Sequence, residues 1–281
     1  MVISKGMTGS VQISSGELEE VIQLVRQQYG YDFGDYARAS LHRRVVRCMQ
    51  KSGCRTAYEL KFQLTNESRF FAWFIESLTV NVTEMFRDPG FYKELRTNVL
   101  PKLASYPTIK IWHAGCSTGE EVFSMAILLH EAGLLGRTRL YATDLNPANL
   151  ERARQGIVPL QSMKDYTSNY IQSGGLNDFS AYYTARYEHA IIRKEYRKNL
   201  VFAMHNLATD QVFNEFQLVC CRNVLIYFNR TLQNRVVTLF GNSLSPWGYL
   251  ALGMKESLLF SDMRHQFEAV NPAVRIYRRK K

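Results

Sequence analysis

The sequence is short of several things, and each shortage closes off a class of function. No apolar run reaches the ~18 residues that a membrane-spanning helix needs, so no insertion into a bilayer is expected. The opening stretch MVISKGMTGSVQISS lacks the long apolar core of a secretory signal. Five cysteines (Cys48, Cys54, Cys116, Cys220 and Cys221) form no CxxC and show no metal-ligand spacing. An odd count without a framework predicts free thiols in a reducing cytoplasm, and no bound metal. There is no G-x-G-x-x-G to hold a pyrophosphate and no G-x-x-x-x-G-K-[ST] for phosphoryl transfer. No Ser-His-Asp or Cys-His pattern is evident. Acids are the minority charge, 25 against 35 Lys and Arg, which gives a net charge of +10. Such a surplus implies an acidic partner: nucleic acid, a membrane surface or an acidic protein.

What is present is ordinary globular composition, 46% hydrophobic, in 281 residues, enough for one large domain or two of unequal size. Residues 1–80 read as a small helical domain. Ser14-Ser15-Gly16-Glu17 fits a capping box, followed by Leu18, Val21, Ile22 and Val25 at one-face helical spacing, and Gly30 ends that helix. A second helix over 35–51 carries Leu41, Val45 and Met49 at i, i+4 and i+8, with Val46 alongside. Arg43, Arg47 and Lys51 share that spacing two residues on, which is about 200° of helix rotation at ~100° per residue. The basic stripe therefore lies opposite the apolar one, flanked by Arg38 and Arg44. A solvated outer face and a docking surface for an acidic partner both fit; no acid lies between Tyr36 and Tyr58 to neutralise the stripe. Helices over 57–64 and 69–78 complete the bundle.

Residues 81–106 join this bundle to the rest. The stretch LTVNVTEMFRDP places Asn81, Thr83 and Arg87 at i, i+2 and i+6, neither a helix face nor a packed strand. Polar side chains here suit the lining of a cleft, or a linker in which Asp88-Pro89 starts a helix running over 91–103.

Residues 107–281 are organised around IKIWHAGCSTGEE, 109–121. An apolar, β-branched strand over 109–114 runs into the small-residue turn Gly115-Cys116-Ser117-Thr118-Gly119 and then an apolar helix over 122–129. Strand, glycine turn and helix start is how an open α/β sheet brings its backbone close to a ligand. Further strands are expected at 139–143, 200–204, 217–221 and 249–253, with a hairpin over 267–270 and 273–277. Alternation of strand and helix implies a doubly wound, mostly parallel sheet. Ligands bind beyond the carboxyl ends of such strands, and the residues there are polar. They are Asp144 in YATDLN, His205-Asn206-Leu207, and Arg222-Asn223. Asp144 is placed to accept two ribose hydroxyls, or to cap the helix before Pro147; the asparagines also suit turns. Glu120 and Glu121 stand where a phosphate would sit, so they repel an anion and attract a cation. S-adenosylmethionine fits that charge: it has a ribose, an ammonium and a sulfonium, and no phosphate. A carboxylate can pair with its ammonium, and Arg87 can clamp its carboxylate in bidentate fashion.

NVTEMFR, WHAGCSTGEE, YATDLN, HNL and CRNVLIYF, in this order, resemble the chemotaxis-receptor methyltransferases of CheR type, over nearly the whole chain. The resemblance implies a class I S-adenosylmethionine methyltransferase fold with a small N-terminal α-helical domain and a small antiparallel β-subdomain inserted at about 179–200. It implies methyl transfer to glutamate side chains of chemoreceptor cytoplasmic helices, leaving S-adenosylhomocysteine, by a cytoplasmic monomer that takes no nucleic acid. Carried over, the cofactor contacts fall on Asn81, Thr83, Arg87, Glu121, Asp144, Asn206, Leu207, Arg222 and Asn223, with Glu120 an alternative to Glu121. Arg222, Asn223 and Tyr227 fall at the reactive end, and Arg43, Arg44 and Arg47 on the element that docks on receptor helices. In some members the β-subdomain binds a receptor C-terminal pentapeptide. The usual glycine-bearing turn is missing here, so an ordinary packed hairpin is expected. Two other readings compete: a methyltransferase of this fold acting on nucleic acid, and a non-catalytic receptor-binding module. Against the first, no N-P-P-[YF] base-handling motif occurs.

Overall fold

The computed structural model describes residues 11–79 and 83–281, and the chain divides into two compact units, Met1–Val80 and Asn81–Lys281. The described part of the first unit holds α1 (Ser15–Tyr29), α2 (Arg38–Ser52), α3 (Ala57–Asn66) and α4 (Ser68–Leu78). Ser14 Oγ accepts from the Glu17 amide at 3.2 Å while Glu17 Oε2 accepts from the Ser14 amide at 2.8 Å. That reciprocal pair satisfies two amides the helix start would otherwise leave open. Gly30 ends α1 with φ of 76°, a conformation that a Cβ would disfavour. Leu18, Val21, Ile22 and Val25 are buried with Leu41, Val45 and Met49 of α2 and Phe74, Ile75 and Leu78 of α4. Each such side chain contributes roughly 1.5–3 kcal/mol by leaving water.

Arg43, Arg47 and Lys51 lie exposed on the other face of α2. Two neighbouring cations are engaged within the bundle instead. Arg38 pairs with Glu19 at 2.9 Å, and half-buried Arg44 donates from Nη1 to the Leu78 carbonyl at 3.0 Å. No acid lies between Tyr36 and Tyr58 along the chain; Glu19 arrives from α1 through the packing. Arg44, expected on the docking stripe, thus holds the end of α4.

The second unit opens with α5 (Pro89–Glu94), which passes through a π turn (Leu95–Val99) into α6 (Leu100–Leu103). Pro101 explains the wide turn: it has no amide hydrogen, and its ring obstructs the carbonyl four residues back. The elements then run β1 (Ile109–Ala114), α7 (Glu120–Glu131), β2 (Thr138–Asp144), α8 (Pro147–Gln155), β3 (Ile157–Pro159) and α9 (Met163–Gln172). They continue with β4 (Tyr183–Arg186), β5 (His189–Ile192), β6 (Leu200–Met204), β7 (Phe216–Cys221), α10 (Arg230–Ser243), β8 (Leu244–Leu252), β9 (Phe267–Asn271) and β10 (Ile276–Arg279).

The main sheet has the order β6-β2-β1-β7-β8-β10-β9. β1 pairs in parallel with β2 on one side and β7 on the other, so the winding reverses there and a crevice opens at their carboxyl ends. All six residues of β7 are buried, as a central parallel strand requires. The terminal pair is antiparallel as expected, but β10 inserts between β8 and β9 and starts at Ile276, after a short turn over Pro272–Val274.

A second, antiparallel sheet has the order β3-β5-β4. Two of its strands lie within 179–200, but β3 comes from the end of α8. Three residues ending in proline carry no legible strand pattern. The β4–β5 turn puts Tyr187 at φ of 53°, where the missing glycine would stand.

β8 begins five residues before the expected 249. Phe216 pairs with Leu244 and Leu218 with Tyr249, so the intervening residues of β8 bulge out of the ladder. Trp247 rides on that bulge at φ of 66°. A bulky residue in that conformation is strained by roughly 1–3 kcal/mol. Its neighbour Gly248 is tightly enclosed: a Cβ there would lie 3.0 Å from the Ser245 carbonyl oxygen.

Candidate active site

The turn after β1 is tied to the end of β2. The amides of Gly115 and Cys116 both donate to the Thr143 carbonyl, at 2.8 and 2.9 Å. Gly115, Ser117 and Gly119 have φ of 75°, 50° and 96°, so the backbone coils tightly between strand and helix. A Cβ on Gly115 would lie 2.5 Å from Cγ2 of Val224, which brings the turn against the loop after β7. Ser117 Oγ is buried there with no hydrogen-bond partner.

Asp144 is the third part of this junction. Its Oδ2 accepts from the Ser117 amide at 2.8 Å, and its Oδ1 accepts from the Asn146 amide at 2.9 Å and Asn149 Nδ2 at 3.3 Å. Burial pushes its pKa up, and these hydrogen bonds offset only part of the rise. Asp144 is not the cap of α8. Asn146 is, its Oδ1 accepting from the Ala148 amide at 2.9 Å.

The two acids at the start of α7 diverge. Glu120 is buried, with Oε2 accepting from Thr118 Oγ1 at 2.7 Å, and burial pushes its pKa up. Glu121 Oε1 lies 2.9 Å from His113 Nδ1, and its Oε2 accepts from Arg222 Nη1 at 3.0 Å. Burial would raise its pKa too, but the His113 hydrogen bond and the Arg222 charge outweigh it and leave the carboxyl below its usual range. Arg222 also donates from Nη2 to Asp88 Oδ2 at 2.6 Å and to the Arg87 carbonyl at 3.0 Å, and lies 4.1 Å from the Phe91 ring centroid. Its side chain is 2% exposed. Burial works against its charge, and Glu121, Tyr92 and Asp88 together hold the pKa above the ordinary arginine value. One guanidinium thus fastens the end of β7 to the start of α7 and to the segment before α5. Arg87 itself is looser, its Nε 3.9 Å from Glu84. Thr83 is partly buried. Asn81 lies outside the described residues.

Asn223 follows at φ of 63°, and its amide donates to Glu256 Oε2 at 3.0 Å. The same carboxylate accepts from the amides of Gly253 at 2.6 Å and Ile226 at 3.3 Å. Glu256 therefore braces the loop that carries Arg222, Asn223 and half-buried Tyr227, yet the sequence reading missed it. It sits outside every motif; its one signal is a carboxylate three residues beyond the glycine that ends a strand. At the end of β6, the His205 amide donates to the Asp144 carbonyl at 3.3 Å, and Leu207 is buried. Asn206 Oδ1 accepts from the Ala208 amide at 3.0 Å, a turn-forming bond.

His113, Glu121 and Cys220 bring their ligand atoms within 4.8 Å of one another, a cluster that no sequence spacing announced. It suits a dication poorly: both Glu121 oxygens are engaged, Arg222 adds a neighbouring positive charge, and burial pushes the thiol well above its usual range.

Residues 81–276 match the family model described as CheR methyltransferase, SAM binding domain, and residues 16–79 match CheR methyltransferase, all-alpha domain. The chain belongs to the CheR methyltransferase family. A Pseudomonas putida protein, provisionally named methyltransferase Cher3, is 48% identical to this CheR chain over 94% of it and 96% of its own length. The chemotaxis protein methyltransferase of Listeria innocua is 30% identical over 84% of this chain and 88% of its own length. That of Escherichia coli is 30% identical over 93% and 90%. The resemblance, the class I methyltransferase fold and the enzyme class read from the motifs stand. So does the donor, S-adenosylmethionine. Methylation of chemoreceptors in adaptation is the role of the family. Among the described residues, no helix is long and apolar enough to cross a membrane.

The crevice fits that donor. Asp144, Glu120 and Glu121 crowd the glycine turn with acids, where a phosphate would be repelled and a cation is favoured. The unpartnered Ser117 Oγ and His205 Nδ1 are buried polar atoms at the same carboxyl ends, and buried polar atoms of this kind want a hydrogen-bond partner.

Proposed function

We propose that this CheR methyltransferase esterifies glutamate side chains on the cytoplasmic helices of chemoreceptors, acting in the cytoplasm as a monomer. The supporting observation is the joint between the CRN end of β7 and the GCSTGEE turn, in which Arg222 holds Glu121 and Val224 abuts Gly115.

When bound, S-adenosylmethionine supplies an electrophilic methyl carbon on a sulfonium. Asp144 accepts the ribose hydroxyls, and Asn206 and Leu207 border the adenine. Glu121, with Glu120 behind it, faces the ammonium, while Asn81, Thr83 and Arg87 take the carboxylate end. Arg222 keeps Glu121 ionised and correctly aimed. Asn223, held by Glu256, lines the reactive end. Tyr227 orients the acceptor carboxylate; an arginine gripping that anion would stabilise it before reaction. A glutamate has a reference pKa of ~4.3, so the acceptor is already ionised at pH 7. Ester formation then needs no general base. Alignment for in-line attack supplies the acceleration, worth ~7–11 kcal/mol at best. Phe91, Tyr92 and Leu225 are buried at that end and keep water away, which suits the meeting of an anion with a cation.

Arg43 and Arg47 form the exposed docking stripe for an acidic receptor helix, with Arg44 contributing mainly to the bundle. The β4–β5 turn lacks the glycine of peptide-binding members, which supports an ordinary hairpin without a bound receptor peptide.

Incubation with tritiated S-adenosylmethionine and a chemoreceptor fraction should label the receptor, and mild base should release the label as methanol. Base-stable label, or label on nucleic acid, would overturn this reading.

A further inference from the structure

A second pocket lies at the amino ends of the parallel strands, on the far side of the sheet from the crevice. Its volume is about 390 Å³, and Lys102, Ser105, Tyr106, Trp247, Tyr249 and Arg278 line it. That size is within the range of small-ligand sites. The chemistry is a cationic rim over aromatic walls. The Arg278 guanidinium lies 4.7 Å from the Trp247 ring centroid. Its Nε is buried without a hydrogen-bond partner, and its ion pair with Glu268 is a long 3.7 Å. Tyr249 is 2% exposed, and its hydroxyl is a further buried polar atom with no partner. Lys102 is exposed, and among the described residues no carboxylate pairs with it.

Trp247 makes the pocket more than a surface dent. The bulge holds it at φ of 66°, where glycine would be relaxed and the largest side chain is strained. The strained backbone displays an indole that is 42% exposed. An arginine held by a long ion pair, an exposed lysine, a phenol whose hydroxyl has no partner and a displayed indole are the complement of a flat ring that carries negative charge.

We propose that this pocket binds a small aromatic anion, a planar ring bearing a phosphate or carboxylate. The ring lies against Trp247 and Tyr106, the charge meets Arg278 and Lys102, and an acceptor atom takes the Tyr249 hydroxyl hydrogen.

The test uses the full chain with saturating S-adenosylhomocysteine, so that the crevice is out of play. Phenyl phosphate, 5′-GMP and inorganic phosphate are titrated by calorimetry and by tryptophan fluorescence. At least one ring-bearing probe should bind saturably and quench the emission, at least tenfold more tightly than inorganic phosphate. Trp247→Gly should abolish calorimetric binding while the thermal midpoint holds or rises, because the strain is relieved. Lys102→Met, a surface change, should weaken binding about tenfold even if Trp247→Gly fails to fold. The proposal is overturned if neither ring probe binds, if inorganic phosphate binds as well, or if both variants bind like the parent.

Discussion

Replacing Arg222 by methionine keeps the volume and removes the one cation between Glu121 and Asp88. At an effective dielectric of about 20, unit charges 3 Å apart attract by roughly 5 kcal/mol. Desolvation of the pair cancels much of that, so the informative quantity is what the substitution leaves behind: Glu121, with only His113 as partner. Stranding one member of a buried pair costs about 3–5 kcal/mol. Asp88 is 35% exposed and regains water, so the lower end applies. For a domain of this size about 3 kcal/mol lowers the melting midpoint by roughly 6–12 °C.

The pH dependence has a definite sign. Glu121 has a depressed pKa in the folded chain, so its stabilisation is present above the ordinary carboxylate range and is lost as pH falls through the folded value. Without Arg222, burial is opposed by His113 alone and the carboxyl titrates higher than in the parent. The penalty of Arg222→Met is therefore largest at neutral pH and shrinks toward pH 4, as protonation removes the stranded charge. Urea unfolding of both proteins from pH 4 to 8, with S-adenosylhomocysteine affinity measured alongside, checks it. A penalty below 1 kcal/mol at pH 7, or one that grows on acidification, refutes the reasoning.

Asp144→Ala removes an acceptor on which three donors converge; hydrogen bonds to a charged group are worth ~1.5–3 kcal/mol each. S-adenosylhomocysteine affinity should fall at least ~100-fold by calorimetry, and retained affinity would sink the ribose assignment. Gly115→Ala forces a methyl group to within 2.5 Å of Val224 at φ of 75°, costing about 1–3 kcal/mol in overpacking and ~1–2 more in backbone strain. Adding Val224→Ala should restore part of that loss in urea unfolding, and no recovery would show the clash is not the cause. The double variant Arg43→Glu, Arg47→Glu should raise KM for receptor about tenfold at low salt, less at high salt, with cofactor affinity unchanged. A matching loss of S-adenosylhomocysteine binding would argue against a docking role.

The loop after β7 shows where sequence stops being informative. CRNVLIYF marks Arg222 and Asn223 by type and order, but nothing along the chain says that Arg222 clasps Glu121 and Asp88, residues 101 and 134 positions away. The partner that braces Asn223 is Glu256, from a stretch without a motif. Arg44 makes the same point in reverse: helical spacing put it beside the basic stripe, and packing turned it onto the Leu78 carbonyl. β3 and the bulge of β8 escaped because a three-residue strand and a ladder irregularity depend on a partner strand for their shape.

Period and turn chemistry are local, and they sufficed for the helical N-terminal unit, the alternation of strand and helix, the glycine turn and the acids that repel a phosphate there. Order of motifs sufficed for the family and its methyl donor. Which acid meets which base, and whether a polar group is buried with or without a partner, follow from distance and desolvation across elements far apart in sequence. Only the folded chain decided those, and with them the second pocket, whose walls come from three separate segments.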